Sequence, residues 1–262
     1  MEETPKLKPG QRLWTRDELI LGINLYSKLR FGQLHKGNPQ IIDLANLIDR
    51  TPSSVALKLV NFASMDPVLQ QRGIKGMSNR GNLDREIWNE FYEDWDDAFL
   101  RSEQLLAEKK HTTIEALNDI EENDLPKEGI ERERLVKARV NQKLFRKIVL
   151  SNYNGRCCIT GIESPELLVA SHIVQWSKDD KNRLNPANGL ALNALHDKAF
   201  ECGLITITED LTLKVSPQLF KQEKNELIKK NFLEFQGKEL FLPKKFMPGI
   251  EFLKVHQLRF RE

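Results

Sequence analysis

Over residues 16–26 the apolar side chains Leu19, Ile23 and Tyr26 recur at helical spacing, and Thr15 with Glu18 three positions on makes a capping box ahead of them. That combination predicts a helix. Residues 39–49 put Ile41, Leu44, Ala45 and Ile48 on one face of a second helix. A third begins after Arg50, where Thr51 caps and Pro52 occupies the first turn, a place where its missing N–H costs nothing. Over residues 131–153, Leu135, Val136, Val140, Leu144, Ile148 and Val149 trace the apolar side of a long amphipathic helix. The period then changes: residues 204–208 and 211–215 alternate apolar and polar around Glu209 and Asp210, which predicts a hairpin. The C-terminal stretch, residues 221–230 and then 241–246, reads as satellite structure without chemistry. The expected class is α+β, with a helical domain over 1–100, an acidic helix and linker over 101–131 and a mixed domain over 132–262.

Composition narrows the function classes. A chain of 262 residues, 40% hydrophobic and 30% charged, is long enough for two domains with cores of their own. No apolar run approaches the roughly 20 residues needed to cross a bilayer, and the first five residues do not read as a signal peptide. No membrane partner is expected. Three cysteines without a disulfide framework suit a reducing interior, so a cytoplasmic location is expected. The net charge of +2 hides a division: residues 1–81 hold 12 Lys and Arg against 7 Asp and Glu, residues 82–131 hold 5 against 16, and residues 132–262 hold 23 against 15. Basic ends suit contact with phosphate, while the acidic middle reads as a solvated helix and linker.

The candidate chemistry lies in residues 157–207, where His172 sits on a short apolar strand, Asn188 follows 16 residues later and His196 opens a helix 8 residues after that. An imidazole titrates at about 6.5, so His172 can take a proton from water near neutral pH. His196 is a natural ligand for a divalent cation, which stabilises negative charge developing on a phosphate. Asn188 cannot titrate, but its amide can donate and accept at once and so hold the loop that aims His172. This is the equipment for hydrolysing a phosphodiester.

The pieces C-x-x-T-G at residues 157–161, A-S-H-I at 170–173, N-G-L-x-L at 188–192 and H-D-x-A-F at 196–200, followed by Gly203 and Leu204, resemble those of bacterial HNH endonucleases. The resemblance implies a ββα-metal core holding one divalent ion, with His172 as general base, Asn188 as positioning residue and His196 as metal ligand. Mg²⁺ or Mn²⁺ is implied, with Ni²⁺ or Zn²⁺ as alternatives that imidazole ligation also suits. Many relatives carry an acid before the base histidine, where this chain has Ser171, and a hydroxyl is a weaker ligand for a hard cation than a carboxylate. Either water and phosphate oxygens complete the site or another acid such as Asp197 contributes. Relatives with two CxxC pairs bind a structural zinc, but Cys157, Cys158 and Cys202 lack that spacing, so no structural zinc is expected.

Contacts to double-stranded DNA are expected from two further places. The helices on either side of Arg50 look like a helix-turn-helix, whose second helix would turn Ser53, Ser54 and Lys58 to the bases with Arg50 near a phosphate. Arg139, Gln142 and Arg146 share a face of the long helix and would clamp phosphate. Their pattern resembles the helix preceding the core in this family, and residues 61–67 resemble a segment found ahead of such cores in restriction-type proteins. The reading is therefore a metal-dependent DNA endonuclease of restriction or phage-defence type, cutting as a homodimer or by sequential nicks. A DNA-binding protein with a degenerate, non-cleaving core is the alternative, favoured by Ser171 alone.

Overall fold

The computed structural model describes residues 12–71, 73 and 81–262. The reading of residues 1–5, and the basic residues Lys6, Lys8, Arg72, Lys75 and Arg80 of the first segment, lie outside the described residues.

The predicted capping box forms. Thr15 N–H donates to Glu18 Oε2 at 2.9 Å and Glu18 N–H to Thr15 Oγ1 at 3.3 Å, opening α1 (Arg16–Lys28). Leu19, Ile20, Leu21, Ile23, Leu25 and Tyr26 are all buried, so α1 is covered on nearly every side and forms the axis of the N-terminal bundle. Around it lie α2 (Pro39–Leu47), α3 (Pro52–Ala63), the short α4 (Pro67–Gln71), α5 (Asn82–Glu93) and α6 (Trp95–Lys109). Thr51 Oγ1 caps α3 by accepting from Ser54 N–H, as its sequence predicts. After α7 (Ile114–Leu117), α8 (Ile130–Asn152) runs through the molecule with Val140, Leu144, Phe145, Ile148 and Val149 buried.

The C-terminal half carries two small antiparallel sheets. In the first, β1 (Leu168–His172) pairs with β2 (Gly189–Asn193), placing Ser171 opposite Leu190 and His172 opposite Gly189, and α9 (Ala194–Glu201) follows at once. A Cβ on Gly189 would come within 2.4 Å of the Val149 side chain, so the missing side chain is what lets β2 lie directly on α8. The predicted hairpin is β3 (Ile205–Ile207) with β4 (Leu213–Val215). The chain ends with α10 (Pro217–Phe220), α11 (Glu226–Asn231) and α12 (Ile250–Gln257). None of the described helices is long and apolar enough to cross a membrane.

The C-terminal stretch corrects the expectation of satellite structure, because residues around 245 enter the N-terminal bundle. Lys245 is 1% exposed, and its ammonium group donates to the carbonyl oxygens of Tyr26 and Ser27 in the last turn of α1, which have no partner within the helix. Burial pushes the Lys245 pKa down to about 7, with Asp66 pulling the other way. Phe246 N–H donates to Asp66 Oδ2 at 3.1 Å, and its ring meets Tyr26 and Trp95 edge to face, each 5.7 Å between centroids. Asp66 belongs to the segment singled out at residues 61–67, and its carboxylate serves here as an acceptor for the far end of the chain. One continuous apolar cluster runs through both halves. Phe246→Ala is expected to cost about 3–5 kcal/mol. Urea unfolding should show that loss in the N-terminal bundle as well as in the C-terminal half, and a loss confined to the latter would contradict the packing.

Candidate active site

His172 ends β1, and its surroundings define its chemistry. The imidazole lies flat against Phe145 of α8, 3.7 Å between centroids with the planes 10° apart, and Trp176 meets its edge at 5.3 Å. His172 Nε2 is 2.9 Å from the carbonyl oxygen of Arg183. A carbonyl can only accept, so Nε2 carries the proton and Nδ1 keeps its lone pair. Burial lowers the His172 pKa, and the Arg183 carbonyl opposes that shift. The ring is therefore neutral at pH 7, as a proton acceptor must be.

Asn188, 1% exposed, holds the loop that supplies the Arg183 carbonyl. Its side-chain oxygen accepts from Val174 N–H at 2.8 Å, while Nδ2 donates to the carbonyls of Val174 and Asn182, both at 3.2 Å. Its backbone carbonyl accepts from Ile173 N–H at 2.9 Å. The amide thus fastens both ends of the loop between β1 and β2, including the residue immediately before Arg183. A carboxylate could not donate two of these bonds, and a leucine could make none.

His196 lies differently from its expectation as a ligand. It is wholly buried, Asn193 Nδ2 donates to its Nδ1 at 2.9 Å, and its Nε2 donates to the Asn231 carbonyl at 2.6 Å. Phe232 and Phe235 meet the ring edge-on. Both nitrogens are engaged by the protein, so this geometry does not offer His196 to an ion. The residue after it does face the strand. Asp197, half-buried, accepts a hydrogen bond from Ser171; burial raises its pKa and the Ser171 hydroxyl lowers it. Ser171 and Asp197 form a pair of oxygen donors between β1 and α9, a donor type that fits a hard divalent cation taking its remaining ligands from water and phosphate. Among the described residues no group of three or more His, Cys, Asp or Glu side chains is gathered to hold a metal.

The expected DNA contacts fare unequally. Arg50 pairs with Glu18 at 2.8 Å and covers the Trp14 ring, with its side chain 7% exposed. Lys58 pairs with Asp84 at 2.7 Å. Neither cation points outward, which corrects the expectation that they meet DNA, while Ser53 is exposed and Ser54 half-buried at the start of α3. Arg146 is exposed, and it donates to the Leu168 and Pro165 carbonyls at 2.7 and 2.9 Å, bracing the entry to β1. Arg139 is half-buried and Gln142 exposed on the same helix.

Two residues at the site, Phe145 and Asn193, escaped the motif reading, and Cys157 entered it without a role at the site. Phe145 lies on the long helix but not among the apolar positions read from its sequence, and only the fold reveals that it meets His172. Asn193 precedes His196 by three positions, and its side chain caps α9 by accepting from His196 N–H at 2.9 Å, a signal the sequence did carry. Cys157 lies beside His196: burial alone would raise its pKa, but hydrogen bonding with His196 and Thr160 outweighs it and holds the thiol at about 7. The far end of α9 is fixed by His256, whose Nε2 donates to the Phe200 carbonyl at 2.9 Å while its ring stacks on Phe200 at 3.5 Å.

Residues 157–208 match the model of a family described as HNH endonuclease. The C-terminal half therefore carries an HNH domain, which marks it as a nuclease domain and implies a nucleic-acid substrate. No match to the chain is found among curated proteins.

Burial pushes the His256 pKa from 6.5 down to about 4. In that interval the unfolded chain binds the proton and the folded chain does not, so this contribution is present above pH 6.5 and is lost as pH falls toward 4. Denaturation midpoints measured across that range should decline with falling pH, and should decline less steeply in His256→Gln. An unaltered slope in the variant would contradict the assignment.

Proposed function

We propose that the chain is a metal-dependent endonuclease that hydrolyses phosphodiester bonds in double-stranded DNA, acting in restriction or phage defence within the cytoplasm. The observation that carries the reading is the state of His172: a neutral imidazole at the end of a strand, protonated on Nε2 by its bond to the Arg183 carbonyl and free to accept on Nδ1. Nδ1 takes the proton of the attacking water, and the carbonyl stabilises the imidazolium as it forms. Asn188 acts before the chemistry, holding the loop so that the carbonyl keeps its place. Phe145 and Trp176 fix the plane of the ring and limit its hydration.

A divalent ion held by Asp197, with Ser171 beside it, would supply charge stabilisation for the scissile phosphate and the leaving oxygen. An all-oxygen donor set favours Mg²⁺ and Mn²⁺ over Ni²⁺ and Zn²⁺. With Arg50 and Lys58 engaged internally, DNA affinity falls to other groups, including Ser53, Ser54, Arg139, Gln142 and the exposed Arg146. Cutting both strands with one site per chain calls for a homodimer or two successive nicks.

A specific observation favours the non-cleaving alternative: Ser171, the hydrogen-bond partner of Asp197, stands where many relatives have an acid. Plasmid DNA incubated with the protein in Mg²⁺, Mn²⁺ or EDTA decides between them. Metal-dependent nicks or fragments are expected, and intact plasmid together with retained DNA binding would establish the alternative.

Replacing His172 with Ala is expected to lower the cleavage rate about 10²–10⁴-fold while DNA binding stays near wild type. Near-full cleavage by this variant would sink the base assignment. A second pair separates Asp197 from His196. Asp197→Asn should abolish cleavage with little change in thermal stability, whereas His196→Ala should lower the melting temperature, because it strips the partners of Asn193 and Asn231. Loss of metal binding in His196→Ala with an unchanged melting temperature would restore His196 as the ligand.

A further inference from the structure

On the face of α8 turned away from His172, a cavity of about 320 Å³ opens among α1, α2, α6, α7 and α8. Lys143, Leu144 and Lys147 of α8 line it, whereas Phe145 and Val149 face β1 and β2, as the helical repeat requires. The cavity is therefore separate from the nuclease cleft, and the site described above makes no use of it.

Its lining is unusual in charge. Four lysines, Lys28, Lys110, Lys143 and Lys147, converge on it against three carboxylates, Asp43, Glu103 and Asp119. Glu103 is already satisfied inside the protein, paired with Lys28 and accepting from Asn24 Nδ2 at 2.6 Å and Asn118 Nδ2 at 3.3 Å. Lys143 is held by the Asp119 carbonyl at 2.6 Å. Burial depresses the Lys28 pKa first, and the ammonium groups of Lys147 and Lys110 add to the effect against the pull of Glu103. Both Lys110 and Lys147 thus lie within electrostatic reach of the Lys28 ammonium group, and among the described residues neither has an ion pair of its own. Leu21, Leu25, Leu44 and Leu144 line the same cavity and give it an apolar floor.

We propose that this cavity binds a small phosphate monoester carried on an apolar or aromatic body, with the phosphate between Lys110 and Lys147 and the body against the leucine floor. A dianion would supply the partner that Lys110 and Lys147 lack, lysine serving as a point charge for phosphate. The volume lies at the lower end of the range of small-molecule sites, which suits a ligand of mononucleotide size. Apolar contact beside the charges should make the ester bind better than the bare anion.

Calorimetry on the full chain at matched ionic strength provides the test, with AMP, inorganic phosphate and adenosine as probes. AMP is expected to bind once per chain, at least about 10-fold more tightly than inorganic phosphate, with adenosine giving no measurable heat. The double variant Lys110→Glu/Lys147→Glu should weaken AMP at least about 10-fold. Lys147→Gln alone, at an exposed position, should move affinity in the same direction if the double variant does not fold. Absence of AMP binding at millimolar concentration would overturn the proposal, as would equal affinity for AMP and phosphate. Binding that persists in the lysine variants but disappears in His172→Ala would belong to the nuclease cleft and would overturn it equally.

Discussion

The ring of Phe145 lies flat on that of His172, and this contact joins the helical bundle to the end of a two-stranded sheet. A pair of strands five residues long has too little apolar surface to hold its own geometry. α8 supplies the missing side: Phe145 covers His172, Val149 presses against Gly189, and Arg146 ties down the carbonyls at the entry to β1. The opposite side of the same helix belongs to the bundle, where Leu144 faces α1 and the lysine cavity. Orientation of the imidazole therefore depends on a helix that lies outside the HNH motif. A shift of α8 would change both the plane of His172 and its hydration.

The parts legible in the sequence were those fixed by neighbours in the chain. The Thr15–Glu18 box, the Thr51 cap with Pro52, the apolar face of α8 and the turn of the hairpin involve contacts within a few residues, and periodicity or capping chemistry exposes them directly. What stayed hidden depends on partners far along the chain. Phe246 N–H reaches Asp66 across 180 positions, so the insertion of the C-terminal stretch into the bundle leaves no local mark. Arg50 and Lys58 read as exposed cations on a recognition helix because nothing nearby in sequence neutralises them. Glu18 and Asp84, 32 and 26 positions away, do so in the fold. Arg146 has distant partners too, backbone carbonyls that no residue type announces.

His196 makes the distinction sharpest, since its place in the motif and its place in the structure point to different physical roles. A buried imidazole with unsatisfied nitrogens costs about 1–3 kcal/mol for each lost partner. Here Asn193 and the Asn231 carbonyl satisfy both, and Cys157 lies alongside. Recruiting this ring to an ion would forfeit at least the Asn231 bond and open a packed region containing Phe232 and Phe235. Left in place, it fixes the first turn of α9 against the C-terminal segment. One residue further on, about 100° around the helix, Asp197 is then directed at Ser171. The histidine thus acts on the oxygen donors through the helix it anchors. In that arrangement a carboxylate and a hydroxyl meet between α9 and β1, while His172, stacked on Phe145 of α8, has its partner in the Arg183 carbonyl instead.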